Sequence, residues 1–293
     1  MQCPICSDKK IRIIYQGKIR NGAPGYMTHD AVSVFRCDSC LTIWHNNIAS
    51  DNTLYESDAY RESMGEIVSL IEFYHKHDIE ILDKLNYTGT EIYRNKLFMD
   101  IGCGGGGYAD FISGVARQVI LIEPNESFAT QLRNKGYEVF AYTDDAFVKY
   151  KNSVELITSY DVIEHVSVPY EFLRSIYMLL TPGGIAYIGT PTEYPVLRGL
   201  LGANFDAFVF SVQHPWVFSR QSLEFLAKKC GFSEYKVKFY QRFGIGNLIA
   251  WLQTREPRGE AAYDFIPPAL NTLYKSEMAR EETAEYLILE LKK

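Results

Sequence analysis

Leu97-Phe98-Met99-Asp100-Ile101-Gly102-Cys103-Gly104-Gly105-Gly106-Gly107 joins an apolar run, an acid and a glycine loop. Tyr108, Phe111 and Ile112 then open an apolar helical stripe, so the stretch reads as strand, tight turn and helix start. Glycines at 102, 104 and 106 let the backbone turn sharply and leave no Cβ in a ligand's way. Gly102, Gly104 and Gly107 also satisfy G-x-G-x-x-G, the dinucleotide fingerprint. Charge separates the two readings. Asp100 at the strand tip would repel a pyrophosphate, whereas it would attract the ammonium and sulfonium of S-adenosylmethionine. Glu123 ends a second apolar run, 118–123, 21 residues after Gly102. That is the spacing of a carboxylate that receives the ribose hydroxyls of an adenosine. Asp144 and Asp145 follow a third strand, where either accepts from an adenine amino group or simply caps the next helix.

A second constellation lies at the start of the chain. Cys3-Pro4-Ile5-Cys6 and Cys37-Asp38-Ser39-Cys40 are two C-x2-C knuckles separated by 30 residues, with strand-like runs at 11–16 and 32–35 between them. Knuckles of this kind converge four thiolates on one tetrahedral zinc, the zinc-ribbon plan. A closed four-sulfur shell leaves no open position, so the metal would fold the ribbon and not catalyse. His29 and His45 are read as surface or packing residues, since the four cysteines Cys3, Cys6, Cys37 and Cys40 fill the shell.

The elements that position these residues follow from periodicity. Apolar positions from 61 to 85 recur at helical spacing and predict one long amphipathic helix or two, closed by Gly89. From residue 96 strands and helices alternate, with strands expected at 96–100, 118–123, 137–143, 154–159, 185–190, 235–241 and 286–291. A turn is expected at Thr181-Pro182-Gly183-Gly184, and a long loop of the lid or substrate-wall kind over 191–218. Residues 243–283 form a second insertion. The chain thus divides into a ribbon at 1–48, a linker and helical lid at 49–90, and a main α/β domain at 91–293.

Bulk composition bounds the function. Of 293 residues, 47% are hydrophobic and 23% charged, enough for one large core and a small one. A net charge of −6 gives no general footprint for nucleic acid. Met1-Gln2-Cys3-Pro4 does not open a secretory leader and no apolar run approaches a membrane span, so a cytoplasmic location is expected. Six cysteines in that compartment point to metal ligation or free thiols before disulfides.

Five motifs, Asp100-Ile101-Gly102-Cys103-Gly104, Glu123-Pro124, Asp161-Val162-Ile163-Glu164-His165-Val166, Leu180-Thr181-Pro182-Gly183-Gly184 and Gly189-Thr190-Pro191, follow in the order and spacing of a known family. The chain resembles class I S-adenosylmethionine-dependent methyltransferases, in the branch of ubiquinone-biosynthesis and sugar methyltransferases. The likeness covers 96–242 and extends to 284–292. The paired knuckles, with Leu54-Tyr55 and Tyr60 ahead of a long helix, are similar to sugar methyltransferases that carry a zinc-binding N-terminal domain. Gly105 and Gly107 depart from the pattern and imply a looser loop before ligand binds.

The resemblance implies a doubly wound, Rossmann-like sheet of seven strands, mostly parallel with an antiparallel last strand, and a cofactor across the carboxyl ends of strands one, two and four. Its cofactor residues map onto Asp100, Gly102, Gly104 and Gly106, then Glu123, then Ser159, Tyr160 and Asp161. Cys103 and Pro124, in the same motifs, and Tyr60 are further candidate cofactor-binding residues, and Tyr60, Tyr194 and Trp216 are candidate pocket walls. Where the acceptor is a hydroxyl, a base must take its proton. His165 is the first candidate and His214, at the end of the long loop, the second, with Glu164 to orient an imidazole. The expected activity is methyl transfer, to oxygen or to carbon, of a small polar acceptor, a sugar or sugar nucleotide. Its rivals are a ribosomal RNA methyltransferase with a zinc ribbon, an NAD-dependent oxidoreductase, and a non-catalytic module that binds a protein through the ribbon.

Overall fold

The computed structural model describes residues 1–46, 53–65, 69–257 and 262–293. The boundary expected at 48/49, part of the expected linker and Ile67 of the helical stripe lie outside the described residues. In chain order the elements are β1 (Ile11–Gly17), β2 (Val32–Cys37), β3 (Ile43–His45), α1 (Thr53–Glu56), α2 (Ala59–Ser63), α3 (Leu70–Thr88), β4 (Leu97–Ile101), α4 (Gly107–Ile112), β5 (Gln118–Ile122), α5 (Glu126–Asn134), β6 (Glu138–Phe140), α6 (Thr143–Tyr150), β7 (Val154–Tyr160), α7 (Pro169–Leu179) and β8 (Leu180–Pro191). They continue with α8 (Pro195–Leu201), α9 (Ala203–Val209), β9 (Trp216–Val217), α10 (Arg220–Cys230), β10 (Glu234–Tyr240), α11 (Ile245–Thr254), α12 (Pro268–Arg280) and β11 (Tyr286–Lys292).

Seven strands make one sheet in the order β10-β11-β8-β7-β4-β5-β6. Strands β4 to β8 pair in parallel. All five residues of β4 are buried, and six of the seven in β7, so these strands read as continuous apolar runs and not as alternating ones. The chain leaves β4 toward β5 and β6, then crosses back to β7 and β8. The carboxyl ends of β4 and β7 therefore flank the switch point, where open α/β sheets bind ligands. The expected doubly wound, Rossmann-like class is the observed one.

Contacts divide the chain into two compact units. One comprises Met1–Ala49, Thr190–Phe225 and Val237–Ile288, and the other Ser50–Gly189, Leu226–Lys236 and Leu289–Lys293. In the second unit Phe98 of β4 and Ile112 of α4 are fully buried in a cluster with Ile81 and Leu85 of α3. The Ser69 side chain caps α3 by accepting from the Glu72 N–H at 3.2 Å, and Gly89 ends the helix at φ +72°. Of the two readings of 61–85, the described residues support two helices, α2 and α3.

The first unit departs from expectation. Residues 191–218, expected as a loop, form α8, α9 and β9. Pro195 occupies the first turn of α8, where its missing N–H costs nothing. Leu197, Leu201, Phe205 and Val209 then recur every fourth residue and pack with Ile19, Val32, Val34 and Ile43 in one core. Strand β3 pairs with β9 through Ile43↔Val217 and Trp44↔Trp216, so the N-terminal sheet has four strands, β1-β2-β3-β9. The turn expected at Thr181–Gly184 is also corrected: β8 begins at Leu180, and an irregularity in its pairing between Val154 and Leu156 absorbs the glycines.

Candidate functional site

At the carboxyl edge of the sheet, β4 and β5 deliver two buried acids. Asp100 is 4% exposed and its Oδ1 accepts from the Thr158 hydroxyl at 2.6 Å. Burial pushes its carboxyl up to about 7, against the pull of Thr158 and of the Lys84 ammonium. Glu123 is 6% exposed; its Oε2 accepts from the Gly104 N–H at 2.7 Å and its Oε1 from the Asn125 N–H at 2.9 Å. Burial raises this carboxyl too, offset by those two N–H donors and by the Arg61 guanidinium. The glycine loop runs between the acids. Gly102 stands at φ +73°, and a Cβ there would lie 2.3 Å from the Val162 side chain. Gly104 stands at φ +55°, with Phe73 2.8 Å and the Arg61 guanidinium 3.1 Å from the place a Cβ would take.

Strand β7 supplies the third edge. Ser159 is buried and donates to the Ile101 carbonyl at 3.0 Å, tying β7 to β4. The Tyr160 ring turns inward, 5.7 Å from the Tyr108 ring, so this residue offers the edge its backbone. Asp161 takes φ +57° and its Oδ2 lies 3.4 Å from Lys84 Nζ. Just beyond, Glu164 is 1% exposed, with Oε1 4.0 Å from His165 Nε2. His165 Nδ1 is 3.1 Å from the Tyr55 hydroxyl, and the Tyr60 ring meets the imidazole edge-on at 5.8 Å. Burial, with the charges of Tyr60 and Glu164, lifts the Tyr55 phenol above its ordinary range, so Tyr55 stays neutral.

Segment 53–65 therefore brings Tyr55 and Tyr60 to His165, and Arg61 to the glycine loop. Asp58 fastens it by accepting from Asn125 Nδ2 and Ser127 Oγ, each at 3.0 Å. The Arg61 guanidinium also lies 5.2 Å from the Phe73 ring centre and 4.6 Å from that of Phe128. The sequence offers no sign of Arg61 or Lys84 as site residues, because a cation on an amphipathic helix carries no signal of the strand end it will meet, and it marks Tyr55 only by its place ahead of the long helix.

Other expected residues sit as follows. Asp145 accepts from the Tyr142 N–H at 3.0 Å and so caps α6, while Asp144 is exposed. Pro124 is half-buried next to Glu123. Cys103 is buried, and burial raises its thiol well above the usual range, as befits a packing residue in the loop. His214 belongs to the other unit, half-buried, its N–H donated to the Ser211 carbonyl at 3.0 Å. His45 is a packing residue as expected: burial lowers its pKa, and its Nε2 is 3.0 Å from the Ser211 carbonyl.

The knuckles do converge. The Sγ atoms of Cys3, Cys6, Cys37 and Cys40 all lie within 4.8 Å of one another, Cys3 and Cys40 at 3.6 Å and Cys6 and Cys37 at 3.5 Å. Contact with Cys3 pulls the Cys40 thiol down to about 5, while burial pushes Cys6 up to about 11.

A mostly parallel seven-stranded sheet in this order, with a glycine loop after its central strand and an acid after the next, is the architecture of class I S-adenosylmethionine-dependent methyltransferases. The chain belongs to the methyltransferase-domain family Methyltransf_23, whose profile matches residues 73–236. It is 31% identical over 99 residues to the ubiquinone biosynthesis O-methyltransferase of Caulobacter vibrioides, covering 31% of this chain and 39% of that protein. The protein of the same name from Xanthomonas oryzae pv. oryzae is 27% identical over 118 residues, 37% and 49% of the two chains. The chain spans less than half the length of these relatives. A methyltransferase from Archaeoglobus fulgidus superposes with a TM-score of 0.52 at 14% identity, over 75% of this chain and 98% of that one. Another, from Thermotoga maritima, gives 0.50 at 19% identity, over 75% and 92%. At such identities the likeness is one of fold.

Proposed function

We propose that the chain transfers a methyl group from S-adenosylmethionine to a hydroxyl of a small polar acceptor, a sugar or sugar nucleotide. The observation that carries this reading is the pair of buried acids, Asp100 and Glu123, at the ends of neighbouring parallel strands with the glycine loop between them. When bound, the cofactor supplies a methyl group already activated by the sulfonium for in-line displacement. Each Glu123 oxygen accepts one backbone N–H and keeps a second lone pair, a set suited to two ribose hydroxyls. Asp100, buried at the tip of β4, would face the cationic methionine end, whose charge draws the raised carboxyl back to its ionised form, and Arg61 beside the loop suits its carboxylate.

His165 is the proposed base. With Nδ1–H donated to Tyr55 Oη, the proton of the acceptor hydroxyl goes to Nε2, and the adjacent Glu164 stabilises the imidazolium. His214 is the second candidate. The oxygen acceptor is supported by the O-methyltransferase names of the relatives, and the small polar acceptor by the chain's acidity and the insertions at 191–218 and 243–283. The four cysteines would hold a structural zinc. Bonds of about 2.3 Å in a tetrahedron space sulfurs by roughly 3.8 Å, near the distances of the two close pairs.

Calorimetric titration with S-adenosylhomocysteine, with NAD in parallel, tests the cofactor. Micromolar binding of the former alone supports the reading and leads to transfer assays on sugar nucleotides. Binding of NAD instead overturns it, and binding of neither leaves the non-catalytic module.

A further inference from the structure

A small cleft, half open to solvent, lies within the unit that carries the insertions, and none of the proposed cofactor, base or cysteine residues lines it. Its walls come from α8, α11, α12 and the chain on either side of them. Asn247, on α11, is 4% exposed, and its Oδ1 is fully buried without a hydrogen-bond partner. An orphaned buried carbonyl costs free energy unless something outside the chain donates to it. Glu285 lines the same cleft, 5% exposed, with Oε1 accepting from the Phe243 N–H at 2.9 Å.

Charge narrows the choice of ligand. Burial raises the Glu285 carboxyl, against the pull of the positive charges of Arg242 and Lys275, and Arg242 is anchored by the Tyr194 hydroxyl at 3.0 Å and the Tyr286 ring at 4.3 Å. A cationic ligand would therefore find no net negative charge. What remains is a carboxylate and a carboxamide acceptor beside the Tyr274 ring and aliphatic Leu197 and Leu248. Hydroxyls satisfy such acceptors while the C–H face of a ring lies on the apolar wall. We propose that this cleft binds a neutral polyhydroxy ligand, one hydroxyl of which donates to Asn247 Oδ1. The cleft itself admits about one water-sized group, so a single hydroxyl would enter it and the rest of the ligand would lie along its open rim. This inference does not rest on methyl transfer.

The test titrates the full chain with methyl α-glucopyranoside, and with ethanolamine as the charged control, by saturation-transfer NMR. The glucoside should bind and ethanolamine should not. Asn247→Leu, which keeps the volume and removes the acceptor, should weaken glucoside binding at least tenfold. Asn247→Ser should do the same, which covers a failure of the leucine variant to fold. Glu285→Gln, which keeps an acceptor oxygen, should stay within threefold. Affinity for S-adenosylhomocysteine, read in the same samples, should not change in any of them. Unaltered glucoside binding in both Asn247 variants, binding of ethanolamine in place of the glucoside, or a crystal soaked in the glucoside that shows only a water on Asn247 would each overturn the proposal.

Discussion

Asp100 links the site to pH. Its carboxyl lies near 7 in the folded chain against an ordinary 3.8, because burial favours the neutral form. Its contribution to stability is therefore full below about pH 4 and is lost as pH rises through 7. A cation bound beside it favours the carboxylate, so affinity for S-adenosylhomocysteine, which keeps the ammonium, should rise from pH 5 to 7 and flatten above. Calorimetry at pH 6 in buffers of different ionisation enthalpy should read proton release on binding, and Asp100→Asn should abolish it. The same variant, and Glu123→Gln, should each weaken binding by about 1.5–3 kcal/mol, roughly 10- to 150-fold, as expected for a hydrogen bond to a charged group. Unchanged affinity in both would mean that the cofactor lies elsewhere. The two acids were legible in the sequence because each closes an apolar run at a fixed distance from the glycines. Arg61 and Tyr55 were not, since their partners are 62 and 110 positions away along the chain, Glu123 and His165.

At the scale of elements, the glycine loop and the ribbon make separate predictions. Gly102→Ala places a Cβ at positive φ and against the branched Val162, so urea unfolding should show a loss of about 1–3 kcal/mol. Cofactor affinity should fall with it, because the loop backbone cannot keep its path. Cys37→Ser should release one zinc by elemental analysis and lower the melting temperature, while affinity for S-adenosylhomocysteine changes by less than twofold. A native protein that holds no zinc would remove the ribbon reading. Strands β4 and β7 were legible because a parallel strand buried on both faces must be apolar throughout. Helices α8 and α9 were not, although Leu197, Leu201, Phe205 and Val209 keep helical spacing. Two seven-residue helices split by Gly202 are too short for periodicity to outweigh prolines and glycines that signal a loop.

At the scale of the whole molecule, net charge bears on the proposed class of acceptor. A chain of charge −6 has no general means of releasing counterions from a polyphosphate backbone. A labelled ribosomal RNA fragment should show no rise in fluorescence polarisation with micromolar protein at 0.15 M salt. Clear binding there would favour the nucleic-acid rival over a small acceptor. Fold class, the two acids, the glycine loop and the four cysteines were determined by the sequence itself. Each rests on a local rule: burial on both faces, positive φ, or thiol spacing on a turn. The tertiary structure alone decided that β9 completes the N-terminal sheet, that Tyr55 reaches His165, and that Asn247 is buried without a donor. Those contacts join segments far apart in the chain, and packing between elements, unlike periodicity within one, leaves no repeat in the sequence to read.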